Sequence, residues 1–236
     1  MYYVSPYFCT KLIMIYMKRT LLTIAAGSLI FTACQNAPKA DKAEASEAQQ
    51  VQQTTGNAYK ADLAQSHVEF IGTKPVGKHH GTFMLKSGEL TVDAGNVSGG
   101  KFVIDINSIK MDDQDSVGNA KLGGHLLSGD FFDGAKFPDA SFEITGVKPG
   151  VDTAGSKEIV MKDATHTITG NLTLKGVTKS ISFPAKLATT DANVIADASF
   201  NIDRTQWNLS YGNDKSLGDH FIHPEVNVQL HVVANK

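Results

Sequence analysis

From residue 59 onward, apolar and polar side chains alternate with a period of two, in eight separate segments. Val68 and Phe70 alternate with His67, Glu69 and Ile71; Phe83 and Leu85 with Thr82, Met84 and Lys86. Phe102 and Ile104 alternate with Lys101, Val103 and Asp105, and Phe142 and Ile144 with Ser141, Glu143 and Thr145. His166, Ile168, Leu172 and Leu174 share one parity, as do Ile181, Phe183, Ala185 and Leu187. Ala198, Phe200 and Ile202 form a seventh set, and Val226, Val228, Leu230 and Val232 an eighth. Period two puts alternate residues on opposite faces of a strand, so each segment has one apolar face. Such strands must close or stack to hide that face and their edges. Both an eight-stranded barrel and a two-sheet sandwich satisfy the alternation. The polar residues of the other parity imply a wet outer face, which argues against a membrane barrel. No 3.6-residue stripe runs longer than three turns, and the one helical candidate is residues 119–132. Ser87-Gly88, Asp93-Ala94-Gly95-Asn96, Ser98-Gly99-Gly100, Pro149-Gly150 and Lys175-Gly176 read as turns.

The N-terminal part has a different character. Met17-Lys18-Arg19 precedes an apolar run from Leu21 to Phe31, then Thr32-Ala33-Cys34. A basic start, a short apolar stretch and a small residue before the cut describe a secretory signal, too short for a spanning helix. With Cys34 next in line, it resembles a bacterial lipoprotein signal, which implies cleavage before Cys34 and lipidation of that residue. Several acyl chains on one Cys anchor stably, at about 0.8 kcal/mol per buried CH2. Residues 1–33 are therefore expected to be removed, with translation starting at Met17 or Met14. Gln35 after the Cys, by analogy with enterobacterial sorting, points to the outer membrane. Residues 34–58 hold no aromatic residue and a single Val, Val51, and are expected to be a lipidated Cys followed by a flexible, solvated tether. Residues 59–236 are expected to be the folded domain.

Removing the first 33 residues takes away Lys11, Lys18 and Arg19, leaving 19 basic against 24 acidic residues and a net charge of −5. That balance excludes a basic nucleic-acid binder. Cys9 and Cys34 both precede the domain, which therefore has no disulfide framework and no Cys-based metal site. No nucleophile elbow, phosphate loop or dinucleotide glycine pattern is present. The run Asp112-Asp113-Gln114-Asp115 is like the start of a calcium loop, but position twelve from Asp113 is Gly124 instead of Glu. His79-His80, His220, His223 and His125 are either metal candidates or rim residues bonded to backbone. Trp207 and Tyr211 suit an aromatic lid or a plug equally. Ten Phe fall in the domain, most at the inward parity beside small partners such as Ala185 and Ala198. They either line an elongated apolar cavity or pack a solid core.

Several blocks resemble the YceI-like family. They are Tyr59-Lys60-Ala61-Asp62 with Ser66-His67-Val68-Glu69-Phe70, Gly81-Thr82-Phe83, and Ile106-Asn107-Ser108-Ile109. Most specific is His125-Leu126-Leu127-Ser128-Gly129-Asp130-Phe131-Phe132-Asp133, followed by Phe137-Pro138-Asp139-Ala140-Ser141-Phe142. Gly170-Asn171-Leu172-Thr173-Leu174-Lys175-Gly176 and Asp203-Arg204-Thr205-Gln206-Trp207 complete the resemblance, which spans residues 59–233. Gly123-Gly124 stands where the family carries an acidic or Arg residue.

The resemblance implies an all-β fold: an elongated antiparallel eight-stranded lipocalin-like barrel with one short helix in a connection. Its lumen would hold one polyisoprenoid chain, as in isoprenoid quinones. It implies that Phe70, Phe83, Phe102, Ile104, Phe142, Leu172, Leu174, Phe183, Phe200 and Val228 line that lumen. A few rim polar groups would meet the headgroup. No bond is broken, so no catalytic residue, cofactor or metal is expected. The expected function is noncatalytic binding, carriage or storage of the lipid in the periplasm or at the cell surface, tethered through Cys34. Two alternatives remain: a stress-related interaction module with a solid β core, and an enzyme using His67, His79 or His125 on a bound lipid.

Overall fold

The computed structural model describes residues 36–151 and 160–236; the expected signal segment, Cys34 and the Met17 start lie outside them. Among the described residues, twelve strands and one α-helix follow in chain order. They are β1 (Asp41–Lys42), β2 (Ser46–Glu47), β3 (Asn57–Ala61), β4 (His67–Lys74), β5 (Gly77–Asp93), β6 (Asn96–Asp105) and β7 (Lys110–Met111). Helix α1 (Ser116–Leu127) comes next, then β8 (Asp139–Pro149), β9 (His166–Leu174), β10 (Val177–Thr189), β11 (Asn193–Asp203) and β12 (Glu225–Asn235). Eight of these, β4, β5, β6 and β8 to β12, pair each with the next, and β12 returns to β4. Every pairing in that ring is antiparallel. The fold is thus a closed eight-stranded barrel with one short helix, and the eight period-two segments are its eight staves. Closure leaves no edge strand in the ring, and where β10 and β11 part, β1 and β2 pair with the freed edges.

One stave is made of two pieces. β4 pairs β5 up to Met84, and β3 takes its place against Leu90 and Val92 toward the far end. The Ser66 hydroxyl, fully buried, bridges this break by accepting from the Val233 N–H.

The Asp93–Asn96 and Lys175-Gly176 turns behave as expected, with Ala94, Gly95, Lys175 and Gly176 all at positive φ. Ser87-Gly88 and Ser98-Gly99-Gly100 do not: both lie inside long strands, at bulges. The glycines there provide space. A Cβ on Gly88 would sit 2.5 Å from the Phe102 ring, and one on Gly81 2.7 Å from Phe70. Each Phe ring lies across the glycine of the neighbouring stave, which lets a narrow barrel hold aromatic side chains. The bulge between Leu85 and Ser87 switches the inward parity, so that Leu90 and Val92 are buried after Phe83 and Leu85.

The helix runs from Ser116 to Leu127, three residues ahead of the expected start, because the Asp115 carboxylate caps it by accepting from the Gly118 N–H at 2.7 Å. Residues 128–137 continue as turns, where Asp133 takes positive φ.

The flexible tether is the main correction. Residues 36–56 wrap the outside of the barrel. β1 adds in parallel to β11 and β2 antiparallel to β10. The Asn171 side chain exchanges two hydrogen bonds with the Gln49 backbone. Asn201 donates to the Pro38 carbonyl, and the Thr54 side chain covers Gly99. The segment has too few apolar residues to form a core of its own, but the barrel supplies the partners that its backbone needs. This explains why outward-facing Asn171, Ser180 and Asn201 are buried.

Gly88→Ala is expected to destabilise the barrel by about 1–3 kcal/mol, since the added methyl must displace the Phe102 ring or the Ala61 methyl. Urea unfolding followed by circular dichroism measures it; an unchanged midpoint would contradict this packing.

Candidate functional site

The barrel is wider than its side chains fill. Two cavities lie in series along the interior. The inner one, about 130 Å3, is bounded by Leu90, Val97, Ile144, Ile181, Ala185 and Val232 among others. The outer one, about 360 Å3, lies at the end carrying α1 and the connection between β11 and β12, in the size range usual for small-molecule sites. Val68, Ile104, Leu172, Ile202 and Val228 line both and form a waist between them.

The structure places all ten expected lumen residues on these walls. Phe102, Phe142, Phe183 and Phe200 face the inner cavity; Phe70, Phe83 and Leu174 the outer; Ile104, Leu172 and Val228 the waist. The rings are ordered by one another: Phe183 stacks on Phe200 at 4.0 Å between centroids, and Phe83 meets Phe132 edge-on at 5.4 Å. Val68 and Ile202, which complete the waist, share the inward parity of Phe70 and Phe200 but were not among the ten expected residues, and the inner-end residues Leu90 and Val97 lie beyond the bulges that break the parity.

The inner cavity has one charged lining residue, Asp197, and His231 Nδ1 engages its carboxylate at 2.7 Å. The outer cavity is different. Lys74, His79, His125, Arg204, Tyr211 and His220 line it, and no acidic residue does among the described residues. Arg204 is buried, and its guanidinium donates to the carbonyls of His223 (3.2 Å), Ile222 (2.8 Å) and Leu209. It thereby pins the 209–223 connection that forms one lip of the mouth. Burial lowers its pKa, yet an Arg remains protonated at neutral pH. Tyr211, half-exposed, packs edge-on against His125 at 4.9 Å, and Phe131 packs against both. Thr73, buried on the same cavity, has a hydroxyl with no hydrogen-bond partner among the described residues.

Trp207 and Tyr211 have separate roles. Trp207 is completely buried as a plug, and its indole N–H donates to the Leu172 carbonyl at 3.0 Å; Tyr211 stands at the mouth. His67, His79 and His80 are held by carboxylates, not by backbone as expected at a rim. His79-His80 lies within β5 and points in two directions: His79 meets Asp113 at 2.8 Å, and His80 meets Asp112 at 2.6 Å and Glu69 at 3.4 Å. His67 shares Glu69 at 3.3 Å. The three acids of the calcium-like run are thus occupied, with Asp115 capping α1. Among the described residues, no group of three or more His, Cys, Asp or Glu side chains is placed to hold a metal. His220 and His223 lie in a 3-10 turn and the loop after it, not on a strand.

A closed antiparallel barrel of eight strands, with an apolar lumen and a polar mouth, defines a lipocalin-like protein. The model of the YceI-like domain matches residues 59–234, and the chain belongs to the YceI-like family. It is 36% identical over 175 residues to a UPF0312 protein of Pseudomonas aeruginosa, covering 72% of this chain and 73% of the relative. It is 32% identical over 181 residues to Protein YceI of Salmonella heidelberg, with the same coverage. Among solved structures, it is similar to BcnA of Burkholderia cenocepacia, with a TM-score of 0.56, 22% identity, and 74% of this chain and 99% of that one covered. It is also similar to a polyisoprenoid binding domain from Saccharophagus degradans, with a TM-score of 0.54, 19% identity and coverage of 75% and 97%. These two likenesses establish the shared fold.

His80 yields a pH dependence. Its bond to Asp112, together with Glu69, raises its pKa. The protonated pair therefore contributes stability that is fully present below the unfolded imidazole value of about 6.5 and is lost as pH rises through the higher folded value. The ion pair is partly exposed, so the loss is expected to stay below about 1 kcal/mol. His80→Asn should flatten the Tm profile between neutral and mildly alkaline pH; an unaltered slope would contradict the assignment.

Proposed function

We propose that this chain is a noncatalytic binding protein for a polyisoprenoid, such as an isoprenoid quinone, carrying or storing it in the bacterial cell envelope. One observation carries the reading: two apolar chambers in series, joined at an aliphatic waist and lined by the Phe residues of opposing staves. A flexible branched chain suits that shape, because each Å2 of its surface removed from water contributes about 25 cal/mol without any directional bond. The methyl branches of such a chain would pass the waist residues one unit at a time. The similarity in fold to a polyisoprenoid binding domain supports this ligand class.

The polar mouth would hold the headgroup, with Tyr211 and the mouth imidazoles as hydrogen-bond donors. The chain's groups bind, orient and exclude water, and none is required to transfer a proton. Lipidation at Cys34 would place the barrel beside the membrane that supplies the lipid, on the periplasmic or outer surface, with the outer membrane as its anchor.

Native mass spectrometry of gently purified full-length protein is expected to show an added prenyl lipid. Absence of any lipid, together with no uptake of added quinone, would contradict the reading. Val228→Trp, which narrows the waist, is expected to lower recovery of a long-chain isoprenoid by about tenfold or more, at an overpacking cost of about 1–3 kcal/mol. Lipid extraction followed by mass spectrometry measures it, and undiminished recovery would show that the chain does not cross the waist.

A further inference from the structure

The barrel wall is not continuous between β10 and β11. They pair only from Ala185 opposite Ala198 to Thr189 opposite Val194. Beyond that point, residues 177–184 and 199–203 part. A proline explains where. The Ala185 carbonyl points toward β9, where it accepts from the Thr165 N–H. The adjacent residue, Pro184, therefore faces β11 and has no N–H to give it.

The N-terminal strap fills this split. β1 pairs Phe200 and Asn201 on one lip; β2 pairs Lys179 and Ser180 on the other. Between them Ala43 is inserted, 1% exposed and packed with the core. Directly behind the strap, Ile181 and Phe183 on one lip and Phe200 and Ile202 on the other line the inner cavity, with the Phe183 and Phe200 rings stacked across the split at 4.0 Å.

The strap is held mostly by polar contacts, with little buried apolar surface. It contributes two paired residues to each lip, and Ala43 is its single fully buried apolar side chain. Its other ties are polar: Asp41 accepts from the Val160 and Met161 N–H groups at 2.9 Å, Ala43 N–H donates to the Asn201 carbonyl at 2.8 Å, Asn201 donates to the Pro38 carbonyl, Asn171 exchanges two hydrogen bonds with the Gln49 backbone, and Lys179 meets the exposed Glu47 carboxylate at 2.9 Å. Few buried apolar contacts and an exposed position describe a segment that opens well below the global unfolding free energy. The strap also lies outside the matched family domain, which begins at residue 59.

We propose that the β10–β11 split is a side door to the inner cavity, and that residues 36–50 are its latch. Release of the latch opens a slot along which a linear hydrocarbon chain enters sideways, without threading its tip through the mouth and the waist. The proposal rests on the reading of the interior as a hydrocarbon site.

The test uses the full chain with Cys9→Ser, Cys34→Ser, Ser46→Cys and Ser180→Cys. Positions 46 and 180 are directly opposed in an antiparallel pair, a spacing that a disulfide can bridge. Decylubiquinone is the probe, and its arrival is read from quenching of Trp207, the one tryptophan of the chain. The oxidised, latched protein should take up the probe about tenfold more slowly or worse than the reduced protein, with the same final quenching. Asp41→Ala, without the crosslink, should speed uptake. Equal rates in the latched and reduced states would overturn the door while leaving the cavity reading intact. No quenching in any form, the unaltered chain included, would overturn the cavity reading and the door with it. Hydrogen exchange of the unaltered chain tests the latch independently of folding of the variant. The Ala43 amide should exchange about tenfold faster or more than the β11–β12 ladder, and equal protection would make the strap a fixed stave.

Discussion

Closure of the eight-stranded ring is the constraint from which the rest follows. Once β12 pairs with β4, the circumference is set by strand number and stagger, and the interior volume is set with it. The inward side chains must then share that volume. Phe rings laid over Gly81 and Gly88 fill it close to the wall, and aliphatic residues meet at the waist. On either side of the waist space remains, because rings held flat against neighbouring glycines cannot also reach the axis.

The two ends of the ring are treated differently. At one end the β5–β6 and β10–β11 hairpins are short, and Tyr59 ties to the second through the carbonyls of Thr190 and Asp191. At the other, α1 and the 204–223 connection fold over the opening. Arg204 organises that connection by satisfying three of its backbone carbonyls from a buried position, which costs less than leaving those carbonyls unpaired. Trp207 seals the wall beside it. The polar groups that line the interior are thus concentrated at the mouth, and hydrocarbon lines the depth apart from Asp197.

Much of this was legible in the chain, for a physical reason. Strand period is a local property of half-buried backbone, so each of the eight staves appears as its own alternation, Val226 to Val232 as clearly as Phe102 and Ile104. Parity marks which residues face inward, the family resemblance implies a lumen for them to line, and all ten stand on cavity walls. Three things were hidden. Parity breaks at the bulges near Lys86 and Ser98 made glycines required for close packing look like turns. The choice between barrel and sandwich depends on a pairing, β12 with β4, between distant segments. The N-terminal strap carries no periodic signal, because the barrel provides its burial; its trace in the sequence is indirect, in small polar residues such as Asn171, Ser180 and Asn201 at outward positions.

Electron density along the barrel axis, in crystals of the full chain purified without detergent or added lipid, tests the central claim most directly. The account predicts a continuous rod of density running from the mouth past Leu172 and Val228 to the Phe183–Phe200 stack. Aromatic rings rotated inward to meet across the axis, with no density between them, would contradict it.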